Sequence, residues 1–280
     1  MSERNVPEEM NEKFAIVTGA SSGIGYELAA QFAQHGYDLL IVSKGDGISQ
    51  AAEDLRALGT HIESMQCDLA SFEGVEQFYE RIESMGRPVN VAVLNAGVGV
   101  DGKFTETSLD EEINLINLNV IGTVHLAKKI TQAMVNRAQG GRLLITSSVA
   151  SLAPGPYMAI YNASKAFVQS FAEALHYELK ENGITVTALM PDATDTNFFE
   201  RANMEDTKVG AGKKDDPKLV AERGYAALMD GKPHVFGGSL KHRIVNAVND
   251  LIPEQTKASM YGKMAKPGSA AETTNKKKAS

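Results

Sequence analysis

The strongest constraint on this chain is a rhythm. Short apolar runs recur at 14–18, 38–43, 61–67, 89–94, 142–146 and 184–190, and a helix-length segment separates each from the next. An apolar run without alternation has no solvent face, so each reads as a strand buried on both sides. Helical spacing of apolar residues marks 24–35, 48–58, 72–85, a long stretch at 109–137 broken near its start, and 157–181. Strands joined in this way form a parallel sheet with helices on both faces, and right-handed crossovers make it doubly wound. The expected fold is α/β, a doubly wound parallel sheet in a three-layer αβα arrangement with a single domain.

After Pro191 the rhythm changes. Residues 192–216 are polar, with Gly210, Gly212 and a Lys/Asp cluster, and read as a mobile insertion covering the substrate side. A helix is expected at 217–229 with Pro217 in its first turn. A short seventh strand is expected at 234–238, and further helices at 240–251 and 256–264. Residues 1–12 read as a disordered leader and 267–280, rich in Ala, Ser, Thr and Lys, as a disordered tail. This leaves 13–266 as one catalytic domain.

Charge and composition narrow the function. A balance of 28 basic against 35 acidic residues gives a net charge of −7, which argues against nucleic acid as a partner. No run approaches the length of a membrane span, and the polar N-terminus carries no secretory signal, so a cytoplasmic protein is expected. Cys67 is the only cysteine, which fits a reducing compartment. His35, His61, His125, His176, His234 and His242 show no paired ligand spacing, so no metal is expected.

In an open parallel sheet, ligands bind beyond the carboxyl ends of the strands. The first strand runs into Gly19-Ala-Ser-Ser-Gly23-Ile-Gly25 and then a helix. Such a turn lets the backbone approach a pyrophosphate, which meets the positive end of the helix. Gly19, Ser21, Ser22, Gly23 and Ile24 are the candidate contacts there. Its spacing is a variant of the usual dinucleotide fingerprint. Ser43 and Lys44 follow the second strand, where a carboxylate would select NAD and a cation a 2′-phosphate. NADP(H) is favoured, and Asp46 with the Gly45/Gly47 loop keeps NAD(H) possible. Asp68, with Leu69 beside it, ends the third strand. It can accept a hydrogen bond from an adenine amine, cap the helix that begins near Phe72, or do both. Asn95, Ala96 and Gly97 end the fourth strand with residues small enough to pass close to a cofactor.

The fifth strand ends in Ser147-Ser148, and Tyr161 and Lys165 follow at helical spacing. Four residues apart, a phenol and an ammonium share one helix face. Lowering a phenol pKa from about 10 to about 7 takes roughly 4 kcal/mol. One ammonium about 4 Å away supplies about that much at an effective dielectric of 20. Lys165 is therefore expected to lower the pKa of Tyr161. No histidine accompanies Ser148 and no Gly-x-Ser-x-Gly elbow surrounds it, so a hydrolytic serine is not expected.

Taken together, Thr18-Gly-Ala-Ser-Ser-Gly-Ile-Gly25, Asn95-Ala-Gly97, Asn119, Ser148 and Tyr161-x-x-x-Lys165 resemble the short-chain dehydrogenase/reductase family. The resemblance covers about residues 13–196 and implies a Rossmann-type fold. It implies Tyr161 as general acid/base, Ser148 as the partner of the substrate oxygen, and Lys165 as electrostatic tuner and ribose ligand. Asn119 would support a water chain to Lys165, and Pro191, Thr194 and Thr196 would contact the nicotinamide. Two positions depart from the family pattern. Leu94 stands where an asparagine is usual, and Asp192 stands where glycine usually follows the proline. Asp192 either lies near the nicotinamide or, the plainer reading, points to solvent.

The expected activity is hydride transfer between NADP(H) and a ketone, aldehyde or secondary alcohol. The alternatives are a non-catalytic NADP-binding sensor or scaffold, or a lyase or epimerase on the same fold. Ala150, Leu152, Ala153, Pro154, Pro156, Met158, Phe198 and Phe199 suggest an apolar lining and a hydrophobic small-molecule substrate. By the same resemblance, a homo-oligomer (dimer or tetramer) is expected through the long helices at 109–137 and 157–181.

Overall fold

Each inner strand must bury both of its faces, and it does so by sending alternate side chains to opposite layers. The computed structural model of the protein describes residues 13–238 and 253–271. In β1 (Phe14–Thr18), Phe14 and Ile16 join the core on one side of the sheet, while Ala15 and Val17 join the core on the other. The pattern repeats through β2 (Asp38–Ser43), β4 (Val91–Leu94), β5 (Gly141–Thr146) and β6 (Ile184–Met190). With β3 (Ile62–Gln66) and β7 (His234–Phe236) they form one seven-stranded parallel sheet in the order β3-β2-β1-β4-β5-β6-β7. This is the doubly wound, Rossmann-like α/β arrangement anticipated from the rhythm. β3 departs from the expectation of strands buried on both sides. As an edge strand it leaves Glu63, Ser64 and Met65 half-buried and Gln66 exposed.

Helices α1 (Gly23–Gln34), α2 (Ile48–Arg56) and α8 (Pro217–Met229) supply apolar residues to the second core. The first core is closed by α3 (Phe72–Ser84), α5 (Thr123–Arg137) and α6 (Ala159–Glu178). The long helical stretch expected at 109–137 is not interrupted. Helix α4 (Leu109–Ile116) widens into a π-helical turn at Asn117–Gly122 and continues as α5. Such a turn re-aims side chains without ending the helix, and Asn119 lies inside it.

The segment 192–216 forms fixed contacts rather than a free excursion. Thr194 bridges Asp215, a short helix α7 spans Phe198–Arg201, and Met204 and Thr207 are buried. A last helix, α9 (Glu254–Ala265), is longer than the expected 256–264. The start of the expected disordered tail is likewise packed, with Ser269 buried and its hydroxyl accepting from the Lys208 N–H at 2.9 Å. The leader at 1–12, the helix expected at 240–251 and the tail at 272–280 lie outside the described residues. Among those described, no helix is long and apolar enough to cross a membrane.

The turn between β1 and α1 shows why its glycines are needed. Gly19 and Gly23 have φ of 67° and 58°. A Cβ on Gly25 would lie 2.2 Å from the Gly19 carbonyl oxygen, a backbone atom that cannot step aside cheaply. Gly45, two loops away, has nothing within 4 Å of its Cβ position. Gly25→Ala should lower the unfolding free energy by about 1–3 kcal/mol through overpacking. Gly45→Ala should stay within about 0.5 kcal/mol, as exposed substitutions do. Urea unfolding of the two variants checks the contrast.

Candidate active site

The carboxyl ends of the strands open into one cavity of about 580 Å³ that runs from Lys44 and Asp68 to Tyr161 and Tyr261. Gly19, Ser21, Ser22, Gly23, Ile24, Ser43, Lys44, Asp68, Leu69, Asn95, Ala96, Gly97, Ser148, Tyr161, Lys165, Pro191, Thr194 and Thr196 all line it. Asn119 does not. A single cavity therefore collects every sequence-predicted catalytic and cofactor residue but one.

At the first end, the helix α1 N-terminus faces the cavity with no acidic residue in its first turn and no side-chain cap from Ser22. Its backbone N–H groups are thus left to an anion. The Ser21 and Ser43 hydroxyls lie 3.0 Å apart. Lys44 and Asp68, expected to act separately, form an ion pair at 2.8 Å. This pair and the Ala70 N–H hold the Asp68 carboxyl below its usual range, against the upward push of burial, which is the largest influence. Asp68 does not cap α3; the Ser71 hydroxyl does, accepting from the Gly74 N–H at 3.0 Å.

Asn95 works as a brace. Its Nδ2 donates to the Thr18 carbonyl at 3.2 Å, its Oδ1 accepts from the Thr146 hydroxyl at 3.1 Å, and its backbone N–H donates to the Thr18 hydroxyl. It ties the ends of β1, β4 and β5 together. Leu94, in place of the family's asparagine, simply adds to the core and is buried.

At the other end, the paired serines divide the work. The Ser147 hydroxyl donates to the Lys165 carbonyl at 3.0 Å and clamps α6 onto β5. The Ser148 hydroxyl shares a hydrogen bond with Tyr161 and accepts from the Ala150 N–H at 3.1 Å. Lys165 donates from Nζ to the Thr146 carbonyl at 2.9 Å and lies 5.9 Å from the centre of the Tyr161 ring. Asn119 spends its carboxamide on Val98, accepting from its N–H and donating to its carbonyl, both at 2.9 Å, and donates to the Ser164 hydroxyl at 3.2 Å. Asn119 and Lys165 flank Gly97, whose Cβ position is 3.2 Å from Asn119 Oδ1 and 3.3 Å from Lys165 Nζ.

The expected lowering of the Tyr161 pKa is overturned. Burial pushes the phenol up to about 12, and the Ser148 hydrogen bond offsets only part of this. Burial also pulls Lys165 down to about 8. Each charged form loses its hydration on burial, and that loss is the first cause of both shifts.

The substrate half is built from several segments. Ala150, Met158, Phe198 and Phe199 line the cavity as expected, but Leu152, Ala153, Pro154 and Pro156 do not. Asn162 draws that loop away by donating to the Ala150 and Ala153 carbonyls, and Pro156 packs toward Gly262 instead. Asp192 lines the cavity rather than pointing to solvent, its Oδ1 accepting from the Ala193 N–H at 2.8 Å. Met204, Val209 and Tyr261 also line it and were not anticipated. For Tyr261 the available signal was a glycine beside it, Gly262, within a helical stretch, which marks a close helix contact.

The site can be tested for fit to a dinucleotide. A Cβ-free turn at Gly25, uncapped N–H groups at α1, a cation beside paired serines and an elongated cavity ending at a phenol suit a pyrophosphate, a ribose phosphate and a nicotinamide in that order. The residues fit.

With this geometry in view, comparison with known proteins is direct. The short chain dehydrogenase family profile matches residues 13–207. The chain belongs to that family, whose members are oxidoreductases by name. "Probable oxidoreductase EphD" of Mycobacterium tuberculosis is 30% identical over 215 residues, covering 75% of this chain but only 36% of that longer protein. The chain thus spans about a third of the length of this relative. An uncharacterized oxidoreductase of Staphylococcus saprophyticus is 29% identical, with 79% of this chain and 92% of that protein covered. Among solved structures, a short-chain dehydrogenase of Sphingobium yanoikuyae in complex with NADPH superposes with a TM-score of 0.77 at 27% identity, covering 85% of this chain and 93% of that one. A bulky-bulky ketone specific alcohol dehydrogenase of Comamonas testosteroni superposes with a TM-score of 0.73 at 26% identity, covering 86% and 92%.

The buried lysine sets a pH test. Its folded pKa, about 8, lies below the ordinary 10.5, so between these values the unfolded chain holds a proton that the folded chain has released. Stability contributed through Lys165 therefore rises with pH across that window and is lost as pH falls toward 8. Lys165→Met removes this dependence. From pH 7 to 10.5 the wild type should gain about 3 kcal/mol relative to the variant, read from urea unfolding at each pH.

Proposed function

We propose that the protein is an NADP(H)-dependent carbonyl reductase acting on hydrophobic ketones or aldehydes. The observation that carries this reading is the Tyr161–Ser148 hydroxyl pair, backed by Lys165 and facing the cavity. The bound nicotinamide supplies the hydride. Ser148 holds the substrate oxygen, and Tyr161 donates its proton to it. Because burial keeps the phenol protonated, it is ready as an acid over the neutral range, which supports reduction as the favoured direction. Lys165, still largely an ammonium at neutral pH, then stabilises the phenolate left behind. Asn119 positions the Val98 backbone beside this group. Gly19, Ser21, Ser22, Gly23 and Ile24 would hold the pyrophosphate, Ser43 and Lys44 the 2′-phosphate, and Asp68 and Leu69 the adenine. Asn95, Ala96, Gly97, Pro191, Thr194 and Thr196 would flank the nicotinamide riboside.

Two features support the choice of cofactor and substrate in this reading. The NADPH complex of the Sphingobium protein favours NADP(H), with Lys44 as its cation here, while its pairing with Asp68 keeps NAD(H) possible. The ketone-specific Comamonas enzyme and the apolar wall of Met158, Phe198, Phe199 and Met204 favour a bulky hydrophobic substrate. A cytoplasmic homo-oligomer remains part of the proposal. Exposed Leu109, Ile113, Ile121 and Phe167 on α4, the π-helical turn and α6 support its interface.

Net NADPH oxidation with a panel of ketones separates this function from a sensor, a lyase or an epimerase. Tyr161→Phe should lower kcat by about 100- to 10,000-fold with NADPH affinity held within a few-fold; retained turnover would remove Tyr161 from its role. Lys44→Ala should weaken NADPH binding about tenfold or more, as loss of a charge-assisted contact does, with a smaller change for NADH. Fluorescence titration with both cofactors reads the difference, and equal losses would refute the 2′-phosphate assignment.

A further inference from the structure

Helix α7 walls the substrate half of the cavity, and its side chains divide between two roles. The Phe198 ring lies 5.2 Å from the Tyr161 ring, centre to centre. It also closes on Gly99, where a Cβ would stand 2.6 Å from the Phe198 Cζ. Phe199 and Ala202 are buried, and the Lys214 ammonium sits over the Phe199 ring at 4.7 Å. The helix is tied at both ends. The Phe198 N–H donates to the Thr196 hydroxyl at 3.3 Å, and the Met204 N–H to the Phe199 carbonyl at 2.8 Å. These residues fix α7 against the site. Arg201, three residues beyond Phe198, is carried about 4.5 Å farther along the axis. It is exposed and yet lines the cavity, which places it at the mouth.

The charged side chains that line the cavity are Lys44, Asp68, Lys165, Asp192 and Arg201. Lys44 and Asp68 pair with each other, Lys165 donates to the Thr146 carbonyl, and Asp192 accepts from the Ala193 N–H. Among the described residues, the Arg201 guanidinium has neither a hydrogen bond nor an ion pair, although Glu200 and Glu205 are close in sequence. A guanidinium is a planar fork of donors matched to a carboxylate. A single unpaired positive charge balances a carboxylate, whereas a phosphate monoester brings nearly two negative charges. At the reacting end the lining charge has the opposite sign. Asp192 follows Pro191, whose carbonyl accepts from the Ser148 hydroxyl at 3.4 Å. A substrate carboxylate directly beside the reacting carbonyl would therefore meet the Asp192 carboxylate and be repelled.

We propose that Arg201 is a specificity-determining residue that binds a carboxylate at the far end of the substrate, and that the substrates are oxo acids in which an apolar body separates the carbonyl from the carboxylate. This rests on the carbonyl-reduction reading of the same site. The apolar body lies along Met158, Phe198 and Met204, between the reacting phenol and the mouth. The carboxylate stays at the mouth, where it keeps part of its hydration and escapes the cost of full burial. The carbonyl carbon gains a hydride from the reduced nicotinamide, its oxygen gains the Tyr161 proton, and the carboxylate is unchanged. The product is a hydroxy acid.

The test compares 6-oxo-6-phenylhexanoate with its primary amide, NADPH being the reductant. The two match in shape and in the reacting ketone and differ in charge. At low salt the wild type should prefer the acid in kcat/KM by about fivefold, the upper range for an exposed ion pair. In Arg201→Ala the ratio should fall below about twofold, and in Arg201→Glu the amide should become the better substrate. A preference for the acid that survives both substitutions would overturn the role of Arg201, as would a wild type that favours the amide. Better turnover of phenylglyoxylate, whose carboxylate adjoins the carbonyl, than of the long acid would overturn the placement of the anion at the mouth. A loss of NADPH affinity in Arg201→Ala with the acid-to-amide ratio unchanged would assign the guanidinium to the cofactor and overturn the proposal. These results leave the carbonyl-reduction reading standing. No turnover of any carbonyl, with NADPH bound, would sink that reading and the proposal with it.

Discussion

A buried ammonium is the constraint on which the active end of this molecule depends. Lys165 is 5% exposed, and its Nζ reaches the Thr146 carbonyl at the end of β5. Removing a charge from water is costly unless fixed dipoles replace the lost hydration. The Ser147 hydroxyl binds the Lys165 carbonyl and fixes the same turn of α6 from the other side. These two bonds set the register of α6 on β5, and that register carries Tyr161 to Ser148. The pKa values of both groups move toward the neutral forms for the same reason, loss of water. The arrangement therefore suits a proton donor better than a resting phenolate.

The cavity has two halves with different origins. The half near Lys44 comes from the turns that end β1 to β4, where parallel strands deliver their carboxyl ends to one edge. Asn95 braces that edge across three strands, which keeps the turns in place without occupying the space between them. The other half is assembled from segments that are distant in the chain: the loop after β5, the segment after β6, and α9. Its walls meet through backbone hydrogen bonds and the Gly262–Pro156 approach.

The strand rhythm, the glycine turn and the Ser148, Tyr161 and Lys165 spacing were legible because each is a local signal. A run buried on both faces cannot alternate, and a phenol and an ammonium four residues apart must share a helix face. From such signals β2 and β6 were bounded at their observed ends, and the serine that meets Tyr161 was told apart from its neighbour. Less legible was anything that depends on what lies across a gap. The pairing of Lys44 with Asp68, the turn of Asp192 into the cavity and the retreat of Leu152 to Pro156 from it are all of this kind.

By itself, then, the sequence determined the parallel α/β sheet, the edge of that sheet where the cavity opens and the candidate site residues that line it, since periodicity and spacing act within a few residues. Only the tertiary structure decided the direction of the pKa shifts, because desolvation depends on every segment that excludes water from Tyr161 and Lys165. It also decided that Tyr261, a hundred residues beyond Tyr161 in the chain, shares its chamber. Nothing local to either tyrosine records that contact; it exists because α9 packs on the loop that precedes α6.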